Sequence, residues 1–128
     1  MDRSHLIWGI SKKTNCYKFV TNGLNLSKDP LNMKGKNNFK HAGYARNKAI
    51  GMKQAPNGRG IILLKKSTTK SRFPAKSIIE VPFTKNSRRS IKKFGKLIKK
   101  ENYCKNLKMV GIRKLCGLQY AKKKPATA

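Results

Sequence analysis

An α+β fold is predicted by three observations. Strand-like alternation is confined to the residues before position 84, helical periodicity replaces it afterwards, and a cation-rich composition limits the core to a modest size. The expected architecture is a small, mostly antiparallel sheet of N-terminal hairpins packed with two C-terminal helices, plus long basic loops ordered by a partner. With 38% apolar residues in 128, the chain can form one small core and has little room for two. It is read as a single domain over residues 1–120, with internal basic loops at 22–48 and 65–76 and a short basic tail at 121–128.

The elements follow in order. HLIWGI, from His5 to Ile10, alternates with Leu6, Trp8 and Ile10 on one face, SKKTN breaks the pattern, and CYKFVT resumes it at Cys16. This predicts a first hairpin with a basic tip at Lys12 and Lys13. A second hairpin is predicted for AIGMKQ (Ala49 to Gln54) and RGIILLKK (Arg59 to Lys66), because APNG between them supplies a fixed φ and then residues tolerant of positive φ. Ile61 to Leu64 is apolar on both faces, as a covered central strand requires. SIIEVPF (Ser77 to Phe83) is a further strand, which Pro82 confines to an edge or to its own end.

After Thr84 the period lengthens, with Ile91, Phe94 and Ile98 at i, i+3 and i+7 and Leu97 beside them; Thr84 or Asn86 can cap the start. Arg88, Arg89, Lys92, Lys93, Lys96, Lys99 and Lys100 fall on the opposite side as one basic face. From Leu107 to Tyr120 a second helix is predicted, apolar over most of its circumference and therefore packed more deeply than the first. The stretches Asn22 to Lys48 and Lys65 to Lys76 look irregular, and a loop as long as the first is uncommon unless it is functional or ordered by a partner.

Charge narrows the partner class. Thirty-two Lys plus Arg stand against four acids, Asp2, Asp29, Glu80 and Glu101, for a formal charge of +28. Self-repulsion of that density opposes compaction and favours polyanion binding, so nucleic acid is the default partner. No apolar run reaches the ~20 residues of a membrane span and the N-terminus lacks a secretory h-region, so a soluble intracellular chain is expected. Cys16, Cys104 and Cys116 are widely spaced without a CxxC pair, which argues for reduced thiols and against a metal site. His5 and His41 have no acidic partner at catalytic spacing, and neither KGKNN nor NGRGI matches a phosphate loop. No catalytic residue, cofactor, small-molecule substrate or membrane contact is expected.

What remains is LNMKGKNNFKHAGYARNKA, Leu31 to Ala49, where cations, aromatics, glycines and amides are interleaved. Lys34, Lys36, Lys40, Arg46 and Lys48 suit phosphates; His41 and Tyr44 offer flat surfaces for unstacked bases; Asn37 and Asn38 can reach phosphates, sugar hydroxyls or base edges. Phe39 is read instead as an anchor pinning the loop to the sheet. Lys12, Lys13, Arg59, Arg113 and the basic helix face at Arg88, Arg89, Lys92, Lys93, Lys96 and Lys99 complete the candidate contacts. Irregular basic loops with aromatics favour folded RNA, and no DNA-binding motif is visible.

With HLIWGI, TNCYKF, DPLNMKGKNNFKHAG, KAIGMKQAPNGRGIILLKK, TKNSRRSIKKFGKLIKK and NLKMVGIRKL in this order, the chain resembles the eukaryotic-type L twenty-eight family of large-subunit ribosomal proteins, from His5 to about Leu118. The central landmarks are Asp29-Pro30, Asn32, Lys34, Asn37, Phe39, Gly43, Lys48, Gly51 and the Gly58 to Gly60 turn. The resemblance implies a structural constituent of the cytosolic large subunit, without catalysis, that reaches the ribosome through the nucleolus. Implied partners are large-subunit rRNA, including a eukaryote-specific expansion segment, and neighbouring large-subunit proteins. Relatives can carry a longer basic C-terminal extension where this sequence has KKKPATA. Nucleolar large-subunit assembly factors of related fold are the alternative; their several cysteines and acidic C-terminal regions contrast with the scarce acids here.

Overall fold

The computed structural model describes residues 3–58, 60–100 and 104–123. Its first element is a helix, α1 (Ser4–Ser11), where a strand was expected, so the predicted hairpin tipped by Lys12 and Lys13 does not form. The reason lies in which residues are packed. Trp8 is half-buried while Leu6 and Ile10 are 66% and 74% exposed, although strand alternation would have placed all three on one face. A helix instead aligns Ser4, His5, Trp8 and Ser11 at spacings of one, three and four, and this is the face that meets Phe39 and Tyr44.

The strand after it, β1 (Lys18–Thr21), pairs antiparallel with β2 (Leu24–Ser27), with Thr21 opposite Leu24. Asn22 and Gly23 form the two-residue turn at φ 50 and 74, the Asn-Gly signature of a tight hairpin. The predicted irregular segment from Asn22 to Lys48 thus begins with a strand. Lys36 bridges back to Leu26, so residues beyond the hairpin extend its edge.

The main sheet holds β3 (Ile50–Gln54), β4 (Ile61–Lys66) and β5 (Ile78–Phe83), antiparallel in the order β3-β4-β5. β4 is central, as its doubly apolar run predicts, and β5 is an edge strand, as Pro82 requires. Gly60 adopts φ +98 where a Cβ would stand 2.8 Å from the Phe83 carbonyl oxygen, a conformation and a spacing that both favour glycine. Lys65 and Lys66 belong to β4, and a 3-10 turn covers Pro74–Lys76, so the second predicted loop is shorter than expected.

Two helices cover one sheet face. From α2 (Ser87–Lys100), Phe94 and Ile98 join Ile50, Met52, Ile61, Leu63 and Phe83, and from α3 (Lys108–Lys123) Leu115 completes the cluster. The helices approach closely at Gly111, where a Cβ would run into the Phe94 ring. α3 is not the more deeply packed of the two: Met109 and Tyr120 are 60% and 64% exposed, because only one side of it meets the sheet and α2. The other sheet face presents Ile62 and Leu64, covered by Leu31 and Ala49. A Cβ on Gly51 would strike the Pro30 carbonyl oxygen, so the chain at 30–31 lies directly on β3.

Candidate nucleic-acid interface

The segment following β2 is held in shape by its own polar side chains. Asp29, buried at 6% exposure, accepts hydrogen bonds from the Leu31 amide through Oδ1 (3.0 Å) and from the Tyr44 amide through Oδ2 (3.1 Å). Asn32 accepts from the amides of Lys34 and Gly35 at 3.0 and 2.8 Å and donates to the Lys36 carbonyl. Lys66, at the end of β4, donates its ammonium to the carbonyl oxygens of Gly43, Tyr44 and Arg46. Burial lowers the Lys66 pKa, and the Asp29 charge opposes that shift. Lys114 of α3 donates to the Asn32 carbonyl at 3.2 Å, and burial lowers its pKa too. Two cations of a strongly basic chain are therefore internal fasteners.

Aromatic contacts fix the outer side. Phe39 stacks on His5 with centroids 4.5 Å apart and lies 6.1 Å from Trp8, so the anchor is set on α1 and not on the sheet. Tyr44 packs between Trp8 and Tyr17, its hydroxyl within 3.3 Å of Ser11 Oγ and Asn15 Nδ2. Asn37 donates to the Lys12 carbonyl, which ties the chain after α1 to the same region.

With the interior so engaged, the cations face out. Lys34, Lys36, Asn38 and Lys40 are exposed while Gly35, Asn37 and Phe39 between them are half-buried. The stretch is not a strand: Gly35 bends it at φ 70 and Phe39 and Lys40 lie in a turn closed on the Asn38 carbonyl, with the three lysines at its exposed positions. Arg46 donates to the Lys40 carbonyl and lies 5.7 Å from the Phe39 ring, leaving it half-buried beside this row. His41 is buried at 8% exposure; burial lowers its pKa, and the charges of Lys34, Lys40, Arg46 and Lys36 lower it further. Asn37 Oδ1 and His41 Nδ1 are buried without a hydrogen-bond partner.

The second concentration is on α2. Arg88, Arg89, Lys92, Lys93, Lys96, Lys99 and Lys100 are all exposed, opposite the buried Ser90, Phe94 and Ile98. Between α2 and β5 runs a groove of about 400 Å³ lined by Pro82, Phe83, Lys85, Arg89, Lys92, Lys93 and Lys96 among others. Lys93 extends across it, 3.4 Å from the Pro82 carbonyl oxygen and 5.1 Å from the Phe83 ring centroid.

The candidate residues thus fall into two groups. Lys12, Lys13, Lys34, Lys36, Asn37, Asn38, Lys40, His41, Tyr44, Arg46 and Lys48 lie in α1's C-terminal extension and the 34–48 segment; the helical set lies on α2. Arg113 is exposed on α3, apart from both, and Arg59 lies outside the described residues; the tail predicted at 121–128 begins inside α3, which runs to Lys123, and residues 124–128 lie outside the described residues. Tyr44 and His41 are set inward, the first half-buried and the second buried, where free stacking faces had been expected. Lys85 was missed, although it continues the same cationic run as Arg88 and Arg89. Among the described residues, Glu80 pairs with Lys53 at 2.6 Å, both about half exposed, and no group of three or more His, Cys, Asp or Glu could hold a metal ion. Cys16, Cys104 and Cys116 are free thiols. No described helix is long and apolar enough to cross a membrane.

Comparison with known proteins adds independent findings. The family model described as the Ribosomal L28e protein family matches residues 6–121. A protein of Dictyostelium discoideum named large ribosomal subunit protein eL28 is 32% identical over 116 residues, covering 91% of this chain and 86% of that protein. One of the same name from Schizosaccharomyces pombe is 29% identical over 114 residues, covering 84% of this chain and 83% of its own.

Proposed function

The chain belongs to the Ribosomal L28e protein family, and from that premise we propose that it is a structural, non-enzymatic constituent of the cytosolic large ribosomal subunit that binds folded rRNA through phosphate contacts. The observation that carries this reading is the division of labour among charges. Asp29 is buried in a turn and Glu80 is paired, while Lys34, Lys36, Lys40 and the α2 cations are exposed with no acid among them in the described residues. Such a surface fits a phosphate backbone, and two cationic regions with a half-buried aromatic cluster suit RNA read by shape. Neighbouring large-subunit proteins and an rRNA expansion segment are further partners of the assembled state, reached after nucleolar transit.

Salt dependence tests the electrostatic part. If about 6–10 phosphates are neutralised, affinity for an rRNA fragment falls about 10³–10⁵-fold between 50 and 200 mM salt. A nearly flat profile contradicts the reading. Sedimentation through sucrose after a high-salt wash tests the rest: cosedimentation with mature large subunits is expected, and restriction to nuclear precursors would favour an assembly factor.

A further inference from the structure

Most aromatic rings of the described residues are committed to the protein itself. Trp8 contacts Phe39 and Tyr44, Phe83 and Phe94 belong to the core, and the rings of Phe19, Phe39 and Phe83 each carry a cation of the chain. Phe73, in the connection between β4 and β5, is instead 63% exposed. That connection is ordered by its own hydrogen bonds. Beyond the last strand pair, Lys66 with Ile78, the Ser67 amide donates to the Ser77 carbonyl at 2.7 Å, and the Lys70 amide donates to Ser67 Oγ. Phe73 joins two successive turns: its amide donates to the Lys70 carbonyl at 3.2 Å, and its carbonyl accepts from the Lys76 amide at 3.0 Å. Pro74 restricts it to extended backbone, at φ -110 and ψ 99. A ring carried on a main chain fixed from both sides loses little freedom when a partner covers it.

The chemistry around the ring selects its partner. Both residues bonded to the Phe73 main chain are lysines and Arg72 precedes it; all three cations are exposed, and residues 67–77 contain no acid. Thr68, Thr69 and Ser71 add exposed hydroxyl side chains. The cores of protein–protein interfaces are depleted of charge, so a ring bracketed by three cations is poorly matched to a protein pocket. A nucleotide joins a flat face to a phosphate, and that pairing matches an aromatic ring among cations. A base inside a continuous helix has both faces covered by its neighbours, which leaves the bases of bulges and loops as the ones that can stack here.

We propose that Phe73 is a stacking platform for one unpaired RNA base, with Lys70, Arg72 and Lys76 holding the phosphates on either side of that nucleotide. This rests on the RNA-binding reading above and adds a site outside the 34–48 segment and the α2 face. It also adds a discrimination that phosphate contacts alone do not supply. Every base has a flat face, so the platform distinguishes an unstacked nucleotide from a paired one without reading which base it is.

The experiment uses the full chain with two RNA duplexes of equal length at physiological ionic strength, one fully paired and one carrying a single bulged 5-iodouridine. The parent is expected to bind the bulged duplex about 5–150-fold more tightly, the equivalent of about 1–3 kcal/mol per stacked base, and irradiation is expected to give an adduct that mass spectrometry maps to Phe73. Phe73→Ala is expected to abolish both the preference and the adduct, and Phe73→Trp to keep the preference. Circular dichroism checks that each variant is folded. Equal affinity of the parent for the two duplexes, or a preference that survives Phe73→Ala, overturns the platform while sparing RNA binding. A preference retained in full by Phe73→Leu also overturns it, since an aliphatic side chain has no ring face and such tolerance belongs to an apolar knob in a protein pocket. Absence of binding to either duplex and to any rRNA fragment overturns both readings.

Discussion

Removing the Asp29 carboxylate tests whether the basic segment is shaped by the protein itself. In Asp29→Ala the amides of Leu31 and Tyr44 lose acceptors at 3.0 and 3.1 Å, inside a site of 6% exposure where water does not readily replace them. Hydrogen bonds to a charged group are each worth about 1.5–3 kcal/mol, so the pair predicts a loss of about 3–6 kcal/mol. That is a large part of the roughly 5–15 kcal/mol by which a typical domain is stable. For a chain of this length the melting temperature falls by about 3–5 °C per kcal/mol, hence by about 10–30 °C. Thermal unfolding followed by far-ultraviolet circular dichroism measures it. Trp8 emission reports the local change, because Trp8 contacts Phe39 and Tyr44 in the segment that Asp29 anchors. Glu80→Ala is the internal control: its ion pair with Lys53 is half exposed, and such pairs contribute about 0–1 kcal/mol. An Asp29→Ala protein that melts within about 2–3 °C of its parent, with unchanged Trp8 emission, would refute self-ordering of the segment.

Other consequences are more local. Leu115→Ala, at a fully buried site between the helices and sheet, is expected to cost about 2–5 kcal/mol by denaturant unfolding; a cost below ~1 kcal/mol would mean that α3 is not seated there. Gly51→Ala pushes a methyl into the Pro30 carbonyl and is expected to destabilise by about 1–3 kcal/mol, whereas an unchanged urea midpoint would show the 30–31 chain free to lift away. His41 has a folded-state pKa below its ordinary 6.5, so between those two values the unfolded chain binds more protons and stability falls as pH drops through the window. His41→Gln should remove that slope, and RNA binding, by neutralising the surrounding lysines, should move the His41 titration upward in an NMR experiment; a titration unmoved by RNA places the phosphates elsewhere. Burial raises the Cys104 thiol pKa while Cys16 and Cys116 are exposed, so alkylation at neutral pH is expected to reach Cys104 last by mass spectrometry, and first reaction there would contradict its packing.

The sheet and the two C-terminal helices were legible because each carries a regular signal. Alternation and the Pro-Asn-Gly turn mark β3 and β4, Pro82 marks an edge strand, and Ile91, Phe94 and Ile98 mark the inner side of α2. α1 was illegible because its largest aliphatics, Leu6 and Ile10, point to solvent while small and aromatic residues pack, which reverses the usual reading of hydrophobicity. The Asn22-Gly23 turn does announce β1 and β2, but the alternation of HLIWGI offers β1 a false partner on its other side. The segment after β2 has no period to read: it is organised by Asp29 and Asn32, whose bonds to main-chain amides depend on three-dimensional closure. Lys66 was hidden among the other cations, though its place two residues after Leu64 in β4 puts it on the same covered side. The cationic character of the candidate interface and its division between the 31–49 loop and the α2 face were thus visible in sequence, and the inward setting of His41 and Tyr44 was not.

The enclosure of Asp29 and the pairing of Glu80 with Lys53 leave little uncompensated negative charge at these two described carboxylates. Proteins that reject competitors usually set like charges against them, and that means is lacking at these two positions. Under the RNA reading proposed above, these surfaces would capture RNA fast and with little selectivity, and fidelity would rest on how quickly mismatched encounters dissociate. A newly made chain would spend its early life exchanging among transient polymers, with lasting residence reserved for a target whose spacing engages enough contacts together.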